Sequence, residues 1–150
     1  MNTHNNKRYQ DMTENINAAF VSLLRDKELR DITVTDICKL ADIDRSTFYA
    51  HYDDVSVLAN AYAAQIEKQV SEHPHKEGDF SWIFDYIKEH SDLFKIYFKL
   101  GVSQVSADYK TIYFRNGTYS VAKMWFEGGC IESPEKMGII IKREYEKIYE

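Results

Sequence analysis

Residues 32–52, ITVTDICKLADIDRSTFYAHY, constrain the fold more than any other stretch: they parse as a short helix, a tight turn and a second short helix. Thr33 is a good N-cap for the first helix, and Asp36, three residues on, is a near-capping-box partner. Ile37 and Leu40 supply apolar contact, while Cys38 and Ala41 are small enough to stand where two helices cross. Asp42 falls at the turn, where a left-handed backbone is often needed. Glycine adopts that conformation most easily, but aspartate tolerates it better than most residues. Ile43 can plug the turn into a core, and Asp44 caps the second helix, 45–52. Phe48 lies inward if Arg45, Ser46, Thr47 and Tyr49 face out. That is the layout of a helix-turn-helix.

The rest of the chain also reads as helices with short breaks, so the expected fold class is all-α. Met12, Ile16, Ala19, Phe20, Leu23 and Leu24 recur at helical spacing over 9–25. Asp53 and Asp54 open a longer helix over 55–72, with Leu58, Ala59, Tyr62, Ile66 and Val70 as its apolar positions. The polar stretch 73–78, with both Pro74 and Gly78, is the clearest linker. Beyond it, Asp79 caps a helix with Trp82, Ile83, Tyr86 and Ile87, and Ser91 starts one with Phe94, Tyr97 and Phe98. A loop is expected over 101–106 and a long helix over 108–127, stopped by Gly128 and Gly129. Ser133 and Pro134 form an N-cap with proline at the first helical position. The last helix carries Met137, Ile140, Ile141, Tyr145 and Ile148 on one side. Two domains follow from this pattern, 9–70 with its motif at 33–52, and 79–150.

Composition narrows the function classes. Two distant cysteines, Cys38 and Cys130, make neither a disulfide framework nor a zinc spacing and suit a reducing compartment. The first ten residues lack an apolar signal core, and no run approaches a membrane span, so a cytoplasmic protein without membrane contact is expected. His73 and His75 flank Pro74, but no cysteine or carboxylate at fixed spacing completes a metal site. Neither a phosphate-cradling glycine loop nor a G-x-S-x-G nucleophile motif occurs. No cofactor, metal or catalytic residue is therefore expected, and a helical enzyme or metal protein is the remotest alternative.

The outward residues of the second motif helix suit DNA. Arg45 can contact guanine in bidentate fashion or pair with a phosphate, and Ser46 and Thr47 can donate to phosphates or bases. Tyr49 and His51 can reach the backbone. Charge runs the other way: the chain is −5, and its first sixty residues carry seven basic and ten acidic side chains. Whole-domain basicity, a common nucleic-acid signal, is absent. Binding must then rely on local charge, from Lys7, Arg8 and Arg45, and on backbone N–H groups at helix starts.

The segment resembles the N-terminal domain of the tetracycline-repressor (TetR) family. The resemblance rests on Thr33, the Asp36-Ile37 pair, Ala41, Ile43, the Ser46-Thr47-Phe48-Tyr49 block and His51-Tyr52, and covers 9–70. It implies DNA contacts at Thr33, Thr35, Arg45, Ser46, Thr47, Tyr49 and His51. The chain departs from the family at Asp42, where glycine is usual, and at Val55, near which the family often has a phosphate-binding lysine. The resemblance also implies a helical body that dimerises and often holds a small-molecule effector. The stretch 117–137 resembles short C-terminal domains of this kind, one type of which occurs in regulators of dihydroxyacetone metabolism.

Within the body, the amphipathic character of the last two helices places Trp125, Phe126, Ile140, Ile141 and Tyr145 at an expected interface in a four-helix arrangement with a second copy, with a core within the one chain as the alternative. Trp82, Tyr86, Phe94, Tyr97, Phe98, Tyr109 and Tyr113 are the expected lining of an effector cavity, with core filling as the plainer alternative. The expectation is thus a homodimeric regulator of transcription on double-stranded DNA, a repressor released by a ligand or a partner. The alternative is a TetR-like interaction module or coactivator that has weakened its own DNA binding and works through a partner regulator.

Overall fold

The computed structural model describes residues 3–76, 78–101 and 108–149, with side chains from Lys7 onward. Among them there are helices and turns but no strand, so the all-α expectation holds. The order is α1 (Thr3–Asp26), a single 3-10 turn (Leu29–Asp31), α2 (Val34–Ala41), α3 (Arg45–Tyr49), α4 (Val55–Ser71), α5 (Ser81–Glu89), α6 (Ser91–Leu100), α7 (Tyr109–Glu127) and α8 (Pro134–Tyr149). No described helix is long and apolar enough to cross a membrane. Of the expected loop over 101–106, all but Gly101 lies outside the described residues.

Helix starts follow the sequence signals closely. Thr33 and Asp36 form a full capping box: the Asp36 amide donates to Thr33 Oγ1, and the Thr33 amide donates to Asp36 Oδ2. Asp54 accepts from the Val57 amide at 2.9 Å, and Asp108 caps α7 by accepting from Thr111. Ser133 Oγ accepts from the Lys136 amide at 3.3 Å. Two expected caps differ. Asp44 occupies the N-cap of α3, but its side chain makes no capping bond, and the amides of Thr47 and Phe48 bond its carbonyl instead. Asp79 stands one residue before the N-cap of α5 and acts as a turn acceptor for the Ser81 amide and hydroxyl. The second motif helix is also shorter than expected, ending at Tyr49, with the chain from Ala50 to Tyr52 continuing as turns bonded to Ser46 and Phe48.

Two apolar clusters hold the molecule. The first packs Ile16, Phe20, Leu24, Ile37, Phe48 and Leu58, all essentially inaccessible. The second gathers Ile66, Phe84, Ile87, Phe94, Trp125, Met137 and Ile141. Helices α4 and α6 belong to both. Leu58 and Ala59 serve the first cluster while Ala63 and Ile66 serve the second, and on α6 Ile96 faces the first while Tyr97 and Phe98 face the second. The linker at 73–78 therefore separates two stretches of sequence but not two independent bodies.

Of the five residues expected at an interface with a second copy, Trp125 and Ile141 are taken up by the chain's own core. Trp125 and Ile141 are buried inside the second cluster, with Trp125 edge-on to Phe84 at 5.1 Å and its Nε1 donating to the Glu132 carbonyl at 3.0 Å. Phe126 and Ile140 pack on the same cluster, and Tyr145 sits against Phe80 and Phe114. The physical reason is that α8 is needed within its own chain to cover α5. Gly138 lies so close to α5 that a Cβ there would meet the Ser81 amide nitrogen at 2.6 Å.

Candidate nucleic-acid interface

The geometry of residues 32–52 begins with the turn. Asp42 has φ 54° and ψ 52°, squarely left-handed, and both its amide and that of Ile43 bond the Cys38 carbonyl. This closes α2 and separates it from α3 by a three-residue turn. Ile37, Cys38 and Ala41 seat α2 in the first cluster, and Phe48 does the same for α3. Burial raises the Cys38 thiol pKa, so the side chain behaves as a packed apolar group rather than a nucleophile.

Helix α1 braces this unit through a polar ridge. Tyr9, Thr13 and Asn17 recur every four residues and share one face. Tyr9 stacks on the His51 ring at 4.1 Å, Thr13 Oγ1 lies 3.0 Å from His51 Nδ1, and Tyr52 donates its hydroxyl to Asn17 Oδ1 at 3.3 Å. Asn15 adds a bond to the Ala41 carbonyl at 2.9 Å, at the end of α2. The signal for this bracing was present in the sequence as polar residues at a four-residue period. Its meaning was not, because nothing local links Thr13 to His51.

The seven expected contact residues separate into two groups. Thr33, Thr35, Arg45, Ser46 and Tyr49 are exposed. Arg45 donates to Thr35 Oγ1, which ties the outer faces of α2 and α3 together and fixes the direction of the guanidinium. Thr47 is half-buried. His51 is half-buried as well and engaged with Tyr9 and Thr13, so its first role is to hold α1 on the motif. Desolvation lowers its pKa and keeps the ring neutral.

Electrostatics around the motif are mixed. Asp36 is held below its ordinary carboxylate range by the backbone and side-chain hydrogen bonds of Thr33 and by Lys27, whose ammonium is 3.3 Å away. That carboxylate is therefore spoken for, although Asp42, Asp44 and Asp53 stand exposed nearby. Val55, where the resemblance suggests a lysine, instead packs on the first cluster at the start of α4.

The expected effector lining does not assemble. Tyr86, Phe94, Tyr97 and Phe98 are buried and pack on one another, with Phe94 about 6 Å from each of its three ring neighbours. Trp82 is half-covered by His75 at 4.3 Å and His73 at 5.4 Å. Tyr109 and Tyr113 point away, 92% and 71% exposed. These rings fill a core because their own edges and faces satisfy each other. The space present at the head–body junction is an open crevice of about 630 Å³ between α1, α6 and α7, lined by Arg25, Asp92, Lys95, Lys99, Lys123 and Phe126 among others. Among the described residues, no group of three or more His, Cys, Asp or Glu side chains is placed to hold a metal ion. Compared with protein-family models and with curated proteins, the chain matches none.

Proposed function

We propose that this protein is a sequence-specific DNA-binding regulator of the tetracycline-repressor kind, acting as a cytoplasmic homodimer and more readily as a repressor than an activator. The observation that carries this reading is the pairing of α2 and α3: a Thr33-capped helix, a left-handed turn at Asp42, and a second helix with Phe48 inward and Arg45, Ser46 and Tyr49 outward. Such a second helix enters the major groove, with base edges read by its side chains and phosphates gripped alongside. Arg45 is the base reader, and Thr33, Thr35, Ser46, Thr47 and Tyr49 secure the register, with His51 acting through its hold on α1.

Regulation follows from the shared helices. A small ligand or partner that moves α6 against α4 changes the spacing of two paired heads. It does so only if it binds the two arrangements with different affinity. Selection of randomised palindromic duplexes, read by fluorescence anisotropy across a salt series, tests the proposal. A winning near-palindrome with a steep salt slope is expected. Absence of enrichment at every salt concentration refutes it.

Two observations favour a second reading, in which the chain is a TetR-like interaction module or coactivator working through a partner regulator. The head is net acidic, and Val55 stands where a phosphate-binding lysine would help. Weak, salt-insensitive binding to every duplex would select this reading over the first.

A further inference from the structure

His51 has one ring nitrogen committed and one open. Thr13 Oγ1 lies 3.0 Å from His51 Nδ1 and 3.0 Å from the Tyr9 carbonyl, to which it donates. A hydroxyl has a single proton to give. Both bonds hold at once when that proton goes to the carbonyl and His51 Nδ1 carries the hydrogen of the other bond. The neutral ring is therefore the Nδ1–H tautomer, and its Nε2 is a bare lone pair. Nε2 has no hydrogen-bond partner among the described residues and is not sealed from water. The stack on Tyr9 at 4.1 Å and the bond to Thr13 together hold the ring in one orientation.

This nitrogen lies at the edge of the expected reading surface. His51 follows Tyr49 and Ala50, both exposed, at the end of α3. Lys7 and Arg8, also exposed, precede Tyr9 on α1. The flanks of a helix in the major groove meet the sugar–phosphate backbone. A phosphate oxygen accepts hydrogen bonds, and so does a bare Nε2, so the neutral ring has nothing to offer it. We propose that His51, besides holding α1, grips a DNA phosphate through Nε2 as an imidazolium, so that each head takes up a proton when it binds DNA. The proposal rests on the DNA-binding reading given above and adds the proton as a second ligand of that site.

The surroundings set the direction of the linkage. The titratable side chains in ring contact with His51 are two phenols, Tyr9 from α1 and Tyr52 from its own segment. Asp53 and Asp54 stand two and three residues beyond, with Asp54 bonded to the Val57 amide. No charged side chain is among the causes that move the His51 pKa; burial alone lowers it, and the free ring is neutral near pH 7. A phosphate against Nε2 supplies an opposite charge and raises the pKa in the complex. Affinity therefore falls as pH rises between the free and bound values, and is level below the first and above the second. The first sixty residues carry ten acidic and seven basic side chains, so the proton supplies positive charge that the sequence withholds.

The test is titration of the full chain with its selected duplex at constant ionic strength, from about pH 5.5 to about 8.5. Anisotropy gives the affinity, and calorimetry in two buffers of different ionisation enthalpy counts the protons. Wild type should take up close to one proton per head, and its Kd should rise by up to about tenfold per pH unit for each head engaged. His51→Gln donates without titrating and should lose both the uptake and the slope. Thr13→Val removes the acceptor of Nδ1–H and lets the neutral ring carry its hydrogen on Nε2. It should bind with much less uptake although His51 is intact. His75→Gln, on the linker before α5, should match wild type. Imidazole nitrogen NMR of the free protein should show the Nδ1–H tautomer at His51, a reading that needs neither a variant nor DNA. A neutral Nε2–H tautomer, or full uptake kept by His51→Gln or by Thr13→Val, overturns the proposal. Tight duplex binding by wild type with no linked proton refutes it and leaves the proposed function standing. Failure to bind any duplex at every pH refutes both.

Discussion

Arg45→Ala separates reading from folding. The Arg45 side chain is exposed and its recorded tie is to Thr35 Oγ1, so its removal takes no core contact with it. The stability cost should stay within about 0.5 kcal/mol. On DNA the arithmetic differs. A guanidinium has five N–H donors, and Thr35 engages one end of the fork, leaving the remainder to meet guanine N7 and O6 together. Losing such a bidentate contact costs about 1–3 kcal/mol, or about 5- to 150-fold in Kd for each half-site. A two-headed complex loses the contact twice, so the penalty on a full operator should approach the square of that factor. Anisotropy at fixed salt, on the selected operator and on versions altered one base at a time, measures it. The variant should lose discrimination at one base position per half-site while binding other sequences almost as before. Equal weakening on every sequence, with a shallower salt slope, would make Arg45 a phosphate contact. Unchanged binding everywhere would mean that α3 does not face the DNA. Thr35→Val keeps the shape and removes the acceptor; it should cost less than Arg45→Ala at the same base position.

Three further outcomes are expected. Gly138→Ala should lower the urea midpoint even though alanine is the better helix former by about 1 kcal/mol. The new methyl would stand 2.6–2.9 Å from Ser81 N, Cα and Cβ, and overpacking of this kind costs about 1–3 kcal/mol; a stabilised variant would mean that α8 is not seated on α5. Lys99→Met keeps the aliphatic stem but removes the ammonium that bonds the Leu24 and Lys27 carbonyls at 2.7 and 3.2 Å, so it should destabilise by about 1 kcal/mol and speed hydrogen exchange at the end of α1. An unaltered exchange pattern there would remove Lys99 as a cap. His51 contributes a pH dependence of known sign: its folded pKa is depressed by desolvation from the ordinary 6.5, so the unfolded chain binds the proton more readily. Its contribution is whole above pH 6.5 and is lost as pH falls below that toward the folded value. His51→Gln should flatten the midpoint-against-pH curve in that window, and a curve of unchanged slope would assign the dependence elsewhere.

Local chemistry was legible and long-range packing was not. Thr33, Asp36, Asp42, Asp54 and Ser133 announce helix ends because capping and left-handed turns are decided within four residues of sequence. The inward position of Phe48 follows from helical period in the same way. The engagement of His51 with α1 was not legible, because its partners, Tyr9 and Thr13, stand about forty residues earlier. The aromatic residues of α5 and α6 could line a cavity or fill a core with the same periodicity, since spacing records which rings share a face but not whether that face closes on itself. Helix α7 misled for a different reason. Apolar residues occur on two of its sides, and only the docking of α8 on α5 reveals that Trp125 is the inner one and Met124 the outer one.

The proposed regulation needs a joint between the motif and the C-terminal helices, and the polar contacts of α6 and α4 are the candidates for it. Near the C-terminal end of α6, the Phe98 carbonyl is an acceptor a helix cannot satisfy internally. It receives the Tyr119 hydroxyl at 3.1 Å and the Lys123 ammonium at 3.1 Å, both from α7. One residue on, Lys99 reaches the other way and caps α1. On α4, Glu67 accepts from Tyr97 at 2.9 Å and lies 3.9 Å from Arg115 of α7; burial, then the Glu67 charge, drives the Tyr97 hydroxyl pKa far upward, so this bond keeps its proton across the working pH range. These polar ties run through two successive residues of α6 and one carboxylate of α4. A docked α7 and a positioned α3 share those anchors, and an effector that displaced α6 by a fraction of a turn would have to break charged, directional contacts on both sides at once. The proposed regulation therefore predicts two discrete arrangements rather than a graded deformation.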